Sequence, residues 1–168
     1  MSGKTVHFLP NFGGQNRYKM EMLAHVHSGI RWIILILLLA TIFKAFAGMN
    51  GKKAYTASDK RMALLTLIFC HTQLVLGFIQ YFAGKYYALP SSDDPVMNSY
   101  NRFFKMEHAT SMILAIGLIT AGYSMAKRAS SDAKKHKKIA IFYLIGLILI
   151  LAAIPWPFMA KFANLGWF

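Results

Sequence analysis

Long apolar runs alternate with short polar segments along this chain, and the pattern predicts four membrane-spanning helices. The runs cover residues 22–47, 61–83, 103–126 and 139–160. Each run is long enough to cross a hydrocarbon core, which takes about 20 residues of helix. Backbone groups find no water inside a bilayer, so such segments fold as helices. We therefore predict an all-α fold, an integral membrane antiparallel four-helix bundle at residues 22–168, after a polar N-terminal tail at residues 1–21.

The connections between the runs differ in charge, and this difference predicts an orientation. Residues 48–60 and 127–138 are rich in lysine, whereas residues 84–102 contain proline, serine and aspartate with almost balanced charge. Positively charged loops tend to stay on the cytoplasmic side of a membrane. We expect the first and third loops in the cytoplasm and both termini outside, in a multi-pass protein of a bacterial inner membrane.

Composition changes the interpretation of the positive charge. Hydrophobic residues make up 56% of the 168 residues and charged residues 15%, with a mean hydropathy of +0.40 and a net charge of +13. Such a charge fits nucleic-acid binding when the cations form a patch on a soluble surface. Here the cations flank apolar runs, so we expect the lipid bilayer as partner and no nucleic acid. The basic run at 127–138 also suits anionic lipid headgroups.

Ionisable side chains inside the predicted spans are few, and their cost in lipid makes them candidates for a site. His27 and Arg31 share one face of the first span at about 100° per residue. This face continues through Ile34, Leu38, Thr41 and Ala45. The third span has a matching stripe formed by His108, Ser111, Ala115, Leu118, Gly122 and Met125. We expect both stripes to point inward, where small residues such as Gly122 allow a helix or a flat cofactor to approach.

His27 and His108 are the predicted axial ligands of one haem b. Both lie at a similar depth near the outer ends of their spans, and these spans would be diagonal in an up-down bundle. Imidazole is a normal axial ligand of haem iron. His71, which lies deeper, is the alternative ligand if helix tilt brings it level. For Arg31, pairing with Glu107 and donation to a quinone carbonyl or to backbone oxygens both remain open.

We interpret the remaining polar residues in and near the spans as structural. His25 lies on a different face from His27, so we expect it at lipid headgroups, and we expect His136 in the third loop to be solvated. The second span carries its own polar seam, formed by Thr66, Cys70, Gln73, Gly77 and Gln80. This seam exceeds what one small bundle needs, which favours contact with another subunit. We expect the almost wholly apolar fourth span to face lipid or a partner.

Several stretches of the sequence resemble one family of membrane proteins. They are HSGIRW at 27–32, FCHTQLVLGFIQYF at 69–82, FFKMEHATSMILAIGLITAGY at 103–123, IPWPF at 154–158 and GWF at 166–168. In these stretches the chain resembles the small four-span membrane proteins of Bacteroidota-type bacteria that are commonly labelled cytochrome-b-like. The resemblance implies haem b and electron transfer, with His27, His71 and His108 as the residues that carry it. The fourth span has no histidine, so at most one bis-histidine haem is available.

Two functional hypotheses follow from these observations. In the first, the protein binds one haem b between inward-facing histidines and carries single electrons to or from a membrane quinone. In the alternative, it is a non-enzymatic accessory subunit of a larger membrane complex, or a homo-oligomer, with no cofactor. The sequence contains no P-loop, no Gly-rich dinucleotide turn and no CxxCH motif, which argues against nucleotide chemistry and covalently attached haem.

Overall fold

The computed structural model describes residues 14–163 and residue 165, and this part of the chain is helical without strands. The α-helices are α1 (Gly14–Gly48), α2 (Ala57–Ala83), α3 (Pro95–Arg102), α4 (His108–Arg128) and α5 (Asp132–Ala153). A π-helical turn at Phe103–Glu107 joins α3 to α4, and short 3-10 turns lie at Tyr86–Ala88 and Ala160–Phe162. Most of the predicted tail, residues 1–13, lies outside the described residues. The prediction of an all-α fold is confirmed for the described part.

Four helical segments are long and apolar enough to cross a membrane, as the sequence predicted. They are Tyr18–Gly48, Ala57–Ala83, Pro95–Arg128 and Asp132–Ala153. The last of these ends earlier than the apolar run at 139–160, because Pro155 lacks an amide hydrogen and disfavours helical geometry in the residue before it. The chain is thus multi-pass by the length and composition of its helices.

Local capping explains where two of the helices begin. Thr56 and Asp59 form a capping box at the start of α2: the Thr56 hydroxyl accepts from the Asp59 amide at 3.3 Å, and the Asp59 carboxylate accepts from the Thr56 amide at 2.9 Å. Asp94 accepts from the Val96 amide at 2.8 Å, with Pro95 at the first position of α3. Both helices therefore begin before the predicted apolar runs at 61–83 and 103–126.

The pattern of helix packing leaves α1 and α4 on opposite sides of the molecule. α1 packs against α2 and α5, and α4 packs against α5 and, less extensively, against α2. Between α1 and α4 the described residues make at most marginal backbone contact. Side chains from α1 and α4 can therefore meet only by reaching into the space between these two helices.

The buried faces of α1 and α4 agree with the sequence patterns to different degrees. On α1 the predicted inner face is buried: Ile34, Leu38, Thr41 and Ala45. On α4 the buried set is Ala115, Ile116, Ile119, Gly122 and Ala126, whereas Met125 is 38% exposed. The expectation for Met125 was wrong because α4 packs chiefly against α5, which rotates its buried face away from the predicted stripe.

The fourth span packs into the core with one face and leaves another face exposed. We expected this apolar helix to face lipid or a partner; 44% of the most apolar stretch of α5 is buried, against 17% for α2, while Ile141, Ile145 and Ile148 are exposed. Gly146 allows close packing, since a Cβ atom there would lie 2.6 Å from Cγ1 of Ile119. The hydroxyl of Tyr143 donates to the Ala63 carbonyl at 2.9 Å and ties α5 to α2. The apolar part of α5 therefore contributes one of its faces to the core, through residues such as Ile139, Tyr143 and Leu147.

Candidate functional site

A cavity of about 370 Å³ opens at the end of the molecule where α1 begins and α2 finishes. Small-molecule sites typically occupy about 300–1,000 Å³, so the cavity is large enough to be one. Its wall is mostly apolar in area but includes several polar side chains, among them His27, Arg31, Gln73 and His108. Three of these residues, all except Gln73, are candidates that the sequence singled out.

The rings of His27 and His108 lie next to each other in the wall of this cavity. Their centroids are 6.4 Å apart and their planes are inclined by 64°. Nδ1 of His108 lies 2.8 Å from the Ala153 carbonyl oxygen. Since a carbonyl only accepts, Nδ1 carries the hydrogen and Nε2 of a neutral His108 has a lone pair. Nδ1 of His27 is buried and has no hydrogen-bond partner among the described residues.

Two glutamines of α2 hold the segment of α1 that carries His27. Nε2 of Gln73 donates to the His27 carbonyl oxygen at 2.7 Å, and Nε2 of Gln80 donates to the Leu23 carbonyl oxygen at 3.0 Å. Both belong to the polar seam that we expected to contact another subunit. The seam instead faces α1 of the same chain, because the side chains of α2 are long enough to reach the α1 backbone. Sequence reasoning therefore missed their role, although their shared helical face was visible.

The same seam contributes space as well as hydrogen bonds. A Cβ atom on Gly77 would lie 3.3 Å from Cε1 of His27, closer than most such contacts. Deeper in the seam, the hydroxyls of Thr66 and Thr41 are 2.8 Å apart and again join α2 to α1. The glycine thus leaves room for the histidine ring, and the polar residues fix the helix that carries it.

A π-helical turn immediately precedes His108. Such turns are rare and occur often at functional sites, where the extra residue changes the direction of the side chains around it. The rings of Phe103 and Phe104 lie 5.8 Å and 6.2 Å from the His108 ring. Nε of Arg102 donates to Oε1 of Glu107 at 2.7 Å across the turn. Glu107 is therefore paired with Arg102, and its pairing with Arg31, one of the options left open by the sequence, is not formed.

The remaining predicted site residues lie in different places. Arg31 lines the cavity, with its guanidinium carbon 5.2 Å from the centroid of the Trp32 ring. His71 is exposed on the side of α2 and outside the cavity wall; its Nδ1 lies 3.0 Å from the Leu67 carbonyl and its Nε2 lies 3.5 Å from the Thr120 hydroxyl. The structure therefore separates His71 from the pair formed by the other two histidines.

Gly122 packs two helices together and does not line the cavity. A Cβ atom on this residue would collide with the Phe142 side chain of α5. The expectation that Gly122 makes room for a cofactor is corrected for this reason. A stripe of small residues indicates close approach, but it does not identify the group that approaches.

The two other histidines near the spans also have clear positions. His25 is exposed and contributes to the cavity wall. His136, which we expected to be solvated, is only 2% exposed, and its ring centroid lies 5.0 Å from that of Tyr55. The expectation was wrong because α5 begins at Asp132, which places His136 on the same buried face as Ile139 and Tyr143.

Aromatic residues from the segment between α2 and α4 also line the cavity. Tyr86, Tyr100 and Phe104 all contribute to its wall, and the ring centroids of Tyr100 and Phe104 are 4.8 Å apart. Burial raises the pKa of the Tyr86 hydroxyl, which keeps it neutral. From the sequence, Phe104 was already a candidate for an apolar wall of the site, whereas Tyr86 was not recognised, since aromatic residues are frequent along the whole chain.

Comparison with known proteins does not assign the chain to a family. No family model matches it, no curated protein matches it, and no solved structure matches it. Within the described residues, no cluster of three or more histidine, cysteine, aspartate or glutamate side chains could hold a metal ion. A functional proposal must therefore rest on the cavity and on the paired rings of His27 and His108.

Proposed function

We propose that this protein binds one haem b between His27 and His108 and transfers single electrons within a bacterial inner membrane. The spacing of the two rings carries the proposal. A metal ion held by one nitrogen of each imidazole, at about 2 Å from each, would allow ring centroids roughly 6 Å apart. The observed 6.4 Å between the centroids fits one metal ion bound by both rings.

The chemistry of the surrounding groups also fits this cofactor. An imidazole that donates one ring nitrogen to a backbone carbonyl is the usual form of a metal ligand, and His108 has this bond to Ala153. The second imidazole offers a nitrogen that is buried without a partner among the described residues, which is costly unless a ligand compensates it. Arg31 also lines the cavity, where its guanidinium group could donate to a quinone carbonyl.

Haem iron supplies one-electron chemistry when it is bound, and the chain's own residues bind, orient and bury it. Gln73 holds the backbone of His27, and the Ala153 carbonyl orients the His108 ring. Phe103 and Phe104 pack against that ring and keep water away from it. Burial and hydrogen bonds to the ligands are the means by which a protein adjusts the potential of haem.

The proposal also includes the orientation of the helices in the membrane. We infer an antiparallel bundle with both termini outside, because the lysine-rich connections join α1 to α2 and α4 to α5 at one end of the molecule. The cavity then opens toward the outer face, and a membrane quinone is the partner that would exchange electrons there. The resemblance to cytochrome-b-like membrane proteins supports this proposal as well.

One observation favours the second candidate function, an accessory subunit that contacts another membrane protein or a second copy. His71 is exposed on a helix that would lie within the bilayer, where titratable side chains are rare. Its ring nitrogens lie near the Leu67 carbonyl and the Thr120 hydroxyl, and the exposed ring is also placed to meet a polar group of another subunit. The polar seam on α2 no longer supports this candidate, because its residues bond to α1.

Absorbance spectra of the purified protein, oxidised and dithionite-reduced, test the haem proposal. We expect a Soret band and the α-band of a low-spin haem, and we expect His27→Ala and His108→Ala each to abolish the low-spin spectrum. His71→Ala removes a histidine outside the cavity and serves as the matched control, with its spectrum retained. Protein expressed with ample haem but purified without a Soret band would refute the proposal.

A further inference from the structure

The end of the molecule opposite the cavity has a strongly positive surface. It is formed by the α1–α2 connection, residues 49–56, and by the last turn of α4, the α4–α5 connection and the start of α5. The exposed cations of this surface, which we call the basic end, are Lys52, Lys53, Lys127, Arg128, Lys134 and Lys137. It lies where four apolar helices finish or begin, at the level where a bilayer presents its headgroups.

Contacts between the two connections make the basic end one surface. The rings of Tyr55 and His136 meet edge to face with centroids 5.0 Å apart, and Nζ of Lys135 lies 5.8 Å from the centroid of the Tyr55 ring. A Cβ atom on Gly51 would be in ordinary contact with Ala133, at 3.8 Å from its Cβ. Lysines from two separate parts of the sequence are thus held side by side.

The carboxylates at this end are already engaged by other lysines. Oδ1 of Asp59 lies 3.1 Å from Nζ of Lys44, and Oδ1 of Asp132 lies 2.9 Å from Nζ of Lys135. The other acidic residues of the chain are in the opposite half of the molecule: Glu21, Asp93, Asp94 and Glu107. The positive charge of the basic end therefore needs a negative partner from outside the chain.

We propose that the basic end binds the headgroups of anionic phospholipids. Its position at the helix ends keeps the cations within a Debye length of the bilayer surface, where each one strengthens binding roughly fivefold. A helical spacing places Lys134 and Lys137 on one exposed face of α5, so neighbouring ammonium groups can share a phosphate. The lipid would then bridge the two connections, independently of any cofactor in the cavity.

Lipid retention measured by native mass spectrometry tests this proposal. The full-length protein is released from nanodiscs that contain equal amounts of phosphatidylglycerol and phosphatidylcholine with identical acyl chains. We expect at least a tenfold preference for phosphatidylglycerol, and a loss of most of this preference in Lys52→Gln/Lys53→Gln/Lys137→Gln. The matched control is Lys19→Gln/Lys85→Gln/Lys105→Gln, which removes three exposed lysines from the opposite end and should keep the preference.

Each outcome of this experiment decides the proposal. Equal retention of both lipids by the unmodified protein would overturn it, as would equal losses in the two triple variants, which would indicate a nonspecific charge effect. Tight binding of a single-stranded RNA without any lipid preference would overturn it in favour of a nucleic-acid surface. Because the substituted lysines are exposed, the variants should stay folded. Salt dependence gives a second measurement on the unmodified protein: we expect its preference for phosphatidylglycerol to fall several-fold as the ionic strength rises.

Discussion

Gln73 donates a hydrogen bond of 2.7 Å to the backbone carbonyl oxygen of His27, and this bond ties α2 to α1 beside the cavity. A residue on one helix thus sets the position of a candidate ligand on another. The bond matters because α1 and α4 make at most marginal backbone contact in the described part of the chain. The distance between the rings of His27 and His108 is therefore determined indirectly, through the helices packed on either side.

Replacing Gln73 with leucine should weaken haem binding without removing it. A single intramolecular hydrogen bond contributes about 0.5–1.5 kcal/mol, so we expect the dissociation constant for haem to rise roughly two- to tenfold. Haem titration followed at the Soret band measures the change. Gln80→Leu is the matched control, because Gln80 bonds to the Leu23 carbonyl of the same helix instead. Equal effects of the two substitutions would show that Gln73 only joins the helices.

Gly77 should be sensitive to side-chain size because of its neighbour. Leucine at this position would force the His27 ring away, since a Cβ atom alone already approaches Cε1 of that ring to 3.3 Å. We expect Gly77→Leu to convert the haem from low spin to high spin, as read from the visible spectrum. Gly117→Leu is the control: a Cβ atom there meets nothing within 4 Å, so its spectrum should not change. An unchanged spectrum in Gly77→Leu would contradict this view of the site.

How much of the fold and of the candidate site could be predicted from the sequence depends on how far each feature extends along the chain. Long apolar runs reveal spanning helices, because hydrophobic length is a property of the sequence alone. The inner face of α1 could also be predicted, since Ile34, Leu38, Thr41 and Ala45 repeat with the period of a helix. Their burial in the structure agrees with that pattern.

Features that depend on one residue or one neighbour could not be predicted. The π-helical turn at Phe103–Glu107 adds a single residue to a helix and has no signature in composition. Gly122 was recognisable as a site of close approach, but only the structure identifies Phe142 as the group that approaches it. The burial of His136 depends on where α5 begins, and helix boundaries are poorly determined by periodicity.

Tyr55 should make the stability of the protein depend on pH in the alkaline range. Burial, followed by the nearby Tyr123 and Asp59, raises the pKa of Tyr55 from 10.0 to about 12. The unfolded chain then loses the Tyr55 proton at a lower pH than the folded chain does. The contribution of the neutral Tyr55 to the free energy of unfolding is therefore complete below pH 10 and is lost as the pH rises toward 12. We expect the free energy of unfolding to fall less steeply across this interval in Tyr55→Phe. Identical slopes for the two proteins would contradict the prediction.

Gly48 and His136 should be coupled, because the histidine ring occupies the space that a side chain at position 48 would need. A Cβ atom on Gly48 would collide with the imidazole ring, so Gly48→Ala forces the ring or the helix to move. Overpacking of this kind costs about 1–3 kcal/mol of unfolding free energy. Removing the ring in Gly48→Ala/His136→Ala should restore part of that loss, and a double-mutant cycle on reversible unfolding measures the coupling. Gly29→Ala, where a Cβ atom meets nothing within 4 Å, controls for the effect of adding a methyl group to α1. Strict additivity of the two substitutions would mean that His136 leaves its place against Gly48 in solution.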